Sequence, residues 1–126
     1  MGDRFVIWGG AVRNMNKFFD DGATLKDGAW TRLPPSPLAG RYGVAAVRFE
    51  DKFILWGGLG GGVGNDLYTD GAIFDGRGWT LLPKTEVAGR CHSAAGVFGS
   101  KLIVWGGYDS NWKPAPPGGE ISLPSK

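Results

Sequence analysis

One cysteine, Cys91, and one histidine, His92, stand in 126 residues. A lone cysteine excludes an internal disulfide and any multi-cysteine metal site. No apolar run approaches the roughly 20 residues a membrane-spanning helix needs. The 14 basic residues form no block and the formal net charge is only +2. Neither nucleic acid nor an acidic membrane surface is therefore an implied partner. No stretch shows the apolar period of an amphipathic helix. Met1-Gly2-Asp3 leads straight into a strand pattern, without the layout of a signal peptide. If Met1 is the true start the expected compartment is the cytoplasm; the sequence names no other.

What the chain does have is a repeat. Arg4-Phe5-Val6-Ile7-Trp8-Gly9-Gly10 returns as Lys52-Phe53-Ile54-Leu55-Trp56-Gly57-Gly58. It returns again as Lys101-Leu102-Ile103-Val104-Trp105-Gly106-Gly107. The first two copies lie 48 residues apart and the next two 49. Other phrases keep the 49-residue offset: Asp21-Gly22-Ala23 with Asp70-Gly71-Ala72, Trp30-Thr31 with Trp79-Thr80, and Ala39-Gly40-Arg41 with Ala88-Gly89-Arg90. A fixed period in this range signals stacked structural units that bury their faces against neighbours.

Within one period, Phe53-Ile54-Leu55-Trp56 reads as a strand buried on both faces and ended by a glycine pair. After the glycine-rich loop from Leu59 to Asn65, the residues Leu67 to Phe74 read as a second strand. Asp75-Gly76 signals a hairpin, as does Asp27-Gly28 one unit earlier. Trp79 to Leu82 is a third strand, stopped by Pro83. His92 to Phe98 is a strand of small residues, like Val44 to Val47. Four antiparallel strands per unit describe a propeller blade. The small-residue strand belongs nearest the axis, and the repeated tryptophans belong farther out, where the gaps between blades widen. Trp30 and Trp79 are expected to be equivalent and mostly buried.

The apolar strand ending in Gly-Gly, the later Trp with Leu-Pro after it, and Gly40-Arg41-Tyr42-Gly43 resemble kelch repeats. They are most similar to the bacterial kind, in which Trp precedes the glycine pair. The resemblance covers residues 4 to 107 and implies a β-propeller. A histidine commonly follows the Arg-x-Gly segment, whereas here Val44 and Ser93 occupy that place. The expected organisation is an incomplete first blade over 1–38 with strands two to four, a second blade over 39–87, and a partial third blade over 88–111. A Pro/Gly-rich tail over 112–126 could add a weak strand near Glu120 to Leu123. About two and a half blades cannot close a ring. A piece of a larger propeller is the favoured reading, because strand two is present towards both ends. A neighbouring copy would then duplicate strands rather than complete the first blade. Self-assembly of copies is the alternative.

Gly9, Gly10, Trp30, Arg41, Gly57, Gly58, Trp79, Arg90, Gly106 and Gly107 recur, which marks them as structural. The recurring arginines are expected to pair with backbone carbonyls between blades. Residues that depart from the repeat are the better binding candidates. Asn14, Asn16, Asn65, Tyr108 and Asn111 fall on the loops that follow strand two, on the face shared with the loops entering strand one. Cys91 and His92, adjacent on an expected strand, would point to opposite faces and could not share one ion. The glycine-rich stretch from Gly57 to Gly64 fits neither a dinucleotide fingerprint nor a P-loop, and reads as a flexible blade loop. The expected function is a non-catalytic module presenting loops to a protein or carbohydrate partner, with no cofactor, and joined by further kelch blades. The rival is part of an enzyme. The resemblance extends to the galactose oxidase and sialic acid epimerase propellers, whose active sites would need residues from other blades.

Overall fold

The computed structural model describes residues 4–12, 17–61 and 67–124. Every regular element among them is a β-strand. Short apolar runs stopped by glycine or proline are too brief for helices and too apolar for loops. In the second blade, strands β5 (Ala45–Phe49), β6 (Lys52–Trp56), β8 (Gly71–Phe74) and β9 (Trp79–Leu81) lie side by side in that order, each antiparallel to the next. The first blade contains β1 (Phe5–Trp8), β2 (Gly22–Lys26) and β3 (Ala29–Arg32). Asp27 and Gly28 join β2 to β3 with φ of 51° and 78°, the left-handed pair that a tight hairpin requires.

The third blade contains β10 (Ala94–Phe98), β11 (Lys101–Trp105) and β12 (Gly119–Ser122). The weak strand allowed near Glu120 to Leu123 is present as Gly119–Ser122, so residues 112–124 are not a loose tail throughout. Leu102 faces Ile121 across β11 and β12, and Ile121 is buried against the second blade. That apolar anchor holds the strand despite the prolines before it.

Three expected strands are shorter than the sequence pattern suggests. Residues before Gly71 and before Ala94 lie outside β8 and β10. They serve short loop bridges instead, Leu59 with Leu67 and Cys91 with Tyr108. The third, over Trp79 to Leu82, stops at Leu81.

Side chains alternate across each blade, and the alternation builds two cores. Phe53, Leu55, Ala72 and Phe74 of the second blade pack towards the first, with Val6, Trp8 and Leu33. Ile54, Trp56, Ile73 and Leu82 of the same strands pack towards Leu102, Val104 and Ile121 of the third. Strands β5 and β10, each opening on a run of small residues, approach one another, which places them on the inner side of the blades.

Trp30 and Trp79 hold equivalent sites, pairing with Leu25 and Phe74 in the same register. Their burial differs from the expectation. Trp79 is half-buried on Phe74, and its indole donates to the Pro34 carbonyl of the first blade at 2.9 Å. Trp30 is 56% exposed, because the corresponding face of the first blade has no blade against it.

Candidate functional site

The loops entering a blade's first strand and leaving its second lie together. Arg41–Tyr42 (β4) pairs with Leu59–Gly60 (β7), and Cys91 with Tyr108. Gly57 and Gly58, at φ of 74° and 102°, let the chain turn out of β6 where a side chain would be strained. Gly58 then donates to the Arg90 carbonyl at 2.8 Å, and Gly10 to the Arg41 carbonyl at 2.8 Å. These backbone bonds tie each blade to the next. Within the stretch from Gly57 to Gly64 that reads as a flexible loop, Leu59 and Gly60 are buried and paired, and residues 62–64 lie outside the described residues.

The recurring arginines work inside a blade rather than between blades. Arg41 is fully buried. It donates to the carbonyls of Ala39 at 2.9 Å and Gly57 at 3.1 Å, and meets Asp70 Oδ1 at 2.6 Å. The Tyr68 ring lies 3.9 Å from its guanidinium carbon, beneath a cation that has one unbonded nitrogen, Nη2. Arg90 repeats the first two contacts with Ala88 and Gly106, then donates to the Pro117 carbonyl at 3.0 Å. Burial pushes the Arg90 guanidinium down from its ordinary value. A side chain closing its own unit in every copy explains why arginine recurs.

The residues that depart from the repeat form a different group. Tyr42 stands where the next unit has Cys91, His92 where the previous unit has Gly43, and Tyr108 where it has Leu59. These three residues come together with Trp112 and Phe18. The Tyr42 ring lies 5.2 Å from His92, edge-on at 80°, and 6.4 Å from Trp112. His92 and Trp112 are 6.1 Å apart, as are Tyr108 and Trp112. Phe18, from the first blade's loop, reaches Tyr42 at 6.1 Å. The result is a row of rings across three blades, with His92, Tyr108 and Trp112 exposed.

The row is held by local backbone geometry. His92 and Trp112 both have left-handed φ, 57° and 61°, which is uncommon for bulky residues and tends to occur at functional positions. The His92 amide donates to the Gly43 carbonyl at 2.8 Å. Asp109 Oδ1 accepts from the amides of Asn111 at 2.8 Å and Lys113 at 3.0 Å. The Trp112 amide donates to the Asp109 carbonyl at 3.1 Å. Beneath the row Cys91 is buried, with its Sγ 3.6 Å from the Tyr108 carbonyl. Burial pushes the Cys91 thiol up. Burial also raises the Tyr42 phenol, and Cys91 adds to that shift, so Tyr42 stays a neutral hydrogen-bond donor.

Of the binding candidates read from sequence, Tyr108 lies in this row and Asn111 on its supporting turn. Asn14, Asn16 and Asn65 lie outside the described residues. Sequence reasoning weighed His92 only as a metal ligand beside Cys91, and did not offer Tyr42, Trp112 or Phe18 as binding residues. Their departure from the repeat was a usable signal for Tyr42 and His92. His92 is also not the strand residue expected, since its φ and its place ahead of β10 remove it from the sheet. Among the described residues no group of three His, Cys, Asp or Glu side chains could hold one metal ion, and no helix is long and apolar enough to cross a membrane.

No protein-family model and no curated protein matches the chain. The fold matches the solved structure of YjhT with a TM-score of 0.80, at 18% sequence identity. The match covers 100% of this chain and 42% of that one, so this chain spans less than half of YjhT.

Proposed function

We propose that this chain is part of a kelch-type propeller that acts as a non-catalytic binding module, taking a carbohydrate on the aromatic row of its loop face. The kelch reading rests on the glycine pairs, the Trp-x-x-Leu-Pro strands and the buried arginines. The observation that carries the function is the gathering of Tyr42, His92, Tyr108 and Trp112 at places where the repeat is broken or decorated.

A shallow row of exposed rings suits a flat, weakly charged ligand. The apolar face of a sugar ring can stack on Trp112 or Tyr108, which offer large area at low entropic cost. Its hydroxyls need donors and acceptors at the rim, and Asn111, His92 and Tyr42 carry such groups.

The test is a glycan array followed by calorimetry on the best ligand. Binding that falls at least about tenfold in Trp112→Ala and Tyr108→Ala, each removing a stacking ring, supports the reading. Binding to no glycan, or variants that bind as tightly as the parent, would overturn it.

A further inference from the structure

The rings of the loop face form an open row with two separate ends. Among the described residues Phe18 meets no aromatic ring but Tyr42, at 6.1 Å, and Tyr108 none but Trp112, also at 6.1 Å. Tyr42 and Trp112, 6.4 Å apart, join these ends. The middle of the row does not depend on an open blade face. Tyr42 enters the second blade, which packs against a neighbour on each side, and is still only half-buried. Phe18 is held in place at its end of the row. It bridges Ala11 across its own loop. Gly40 of the second blade sits against its carbonyl, where an added Cβ would come within 2.6 Å. The Phe18 ring lies on Gly61, where a Cβ would meet its Cδ2 at 2.7 Å. Glycine at both places permits this close approach.

A single sugar ring stacks on one side chain or bridges two neighbours, so it does not reach from Phe18 to Trp112. A ligand that uses the whole row is a chain. The steps between rings, 6.1 to 6.4 Å, are comparable to the advance of one unit along an extended chain of equatorially linked pyranoses. Equatorial links keep the apolar C–H faces of successive sugars in line, whereas axial links coil the chain. Neighbouring rings of the row are tilted to one another by 45°, 62° and 57°. A stepwise turn of this size matches one twisted chain in solution better than the flat face of a crystalline polymer.

We infer that the ligand is a stretch of a soluble, equatorially linked polysaccharide that lies along the row, with successive units over Phe18, Tyr42 and Trp112. The inference rests on the carbohydrate reading above and adds to it the length and linkage of the chain. Phe18 then acts as a length-reading residue. It touches only ligands long enough to extend past Tyr42, while Trp112 and Tyr108 hold short and long ligands alike.

Calorimetry with cello-, xylo- and manno-oligosaccharides, from disaccharide to hexasaccharide, tests this. In at least one series the affinity should rise with each added unit up to the tetrasaccharide or beyond. Phe18→Ala should weaken hexasaccharide binding about threefold to tenfold, the range for one aromatic stacking contact, and leave disaccharide binding unchanged. A purely structural loss would weaken both alike. Phe18→Leu, which keeps apolar bulk on Gly61 without the flat ring, should show the same split and carries the test if Phe18→Ala loses its sheet signal. Equal affinity for disaccharide and hexasaccharide, or an equal loss on both in the Phe18 variants, would overturn the inference and leave the carbohydrate reading standing. So would a glycan array whose ligands are all single sugars or axially linked chains. Binding to no glycan would overturn both.

Discussion

Trp56 and Trp105 occupy the same position in successive blades, and one is 1% exposed while the other is 65% exposed. Both close an apolar strand ahead of a glycine pair, and both face the blade that follows. Trp56 meets Leu102, Val104 and Ile121 of the third blade's core; Trp105 meets no further blade among the described residues. Burial here is a property of the neighbour rather than of the residue.

The pair gives the first prediction. Trp56→Ala should destabilise the chain by about 3–5 kcal/mol, the range for a large buried aromatic. Trp105→Ala should cost less than about 1 kcal/mol in dilute solution, as for a surface change. Urea unfolding at low protein concentration measures both.

Arg41 is buried and Asp70 is half-exposed. Removing the arginine strands four acceptor atoms, the carbonyls of Ala39, Gly57 and Asp70 and the Asp70 carboxylate, and empties a packed site. Arg41→Ala should cost about 2–5 kcal/mol, from the cavity left and the carbonyls stranded. Asp70→Asn leaves solvent near the contact, so it should cost only about 1 kcal/mol. Thermal unfolding of the two variants should therefore rank them clearly; equal losses would contradict the geometry.

Cys91 and Tyr42 set an alkaline limit. In both, burial favours the neutral form in the folded state, with pKa raised above the unfolded value. Their contribution is full below the unfolded values, about 8.5 for Cys and 10 for Tyr. It is lost as pH rises through the folded values. The melting temperature should fall from about pH 9 upward, beginning with the cysteine. Cys91→Ala should remove the earlier part of that fall, and the parent thiol should react slowly with iodoacetamide until the protein unfolds.

Asp109 should act on the ligand through Trp112. Its carboxylate holds the turn amides of Asn111 and Lys113, worth about 1.5–3 kcal/mol for bonds to a charged acceptor. Asp109→Ala should weaken glycan binding by about tenfold, by loosening a preorganised loop. Asp109→Asn, which keeps an acceptor oxygen, should restore most of the affinity. Calorimetry on the three proteins decides this.

The all-β architecture was readable because it is written in short-range pattern. Phe53 to Trp56 alternates no polarity and stops at a glycine pair, so its strand character needs no partner to be named; its double-sided burial needs a blade on each side, which β1 and β11 lack among the described residues. The shift of β12 into the sheet was harder to read, because Pro114, Pro116 and Pro117 before it argue locally against order. One apolar contact, Ile121 on Leu102, outweighs them. The inward role of Arg41 was also hidden. Recurrence marks a structural residue, but carbonyls look alike in sequence and do not reveal which ones it will meet.

The sequence by itself determined the strands, the period and the alternation of side chains, because these depend on residues a few places apart. Tertiary structure alone decided which tryptophans are buried, and which rings of distant loops meet. Tyr42, His92 and Trp112 come from separate loops of two blades, and Phe18 from a third. Their proximity follows from the stacking of whole units, which brings together residues far apart in sequence and leaves no local pattern to read.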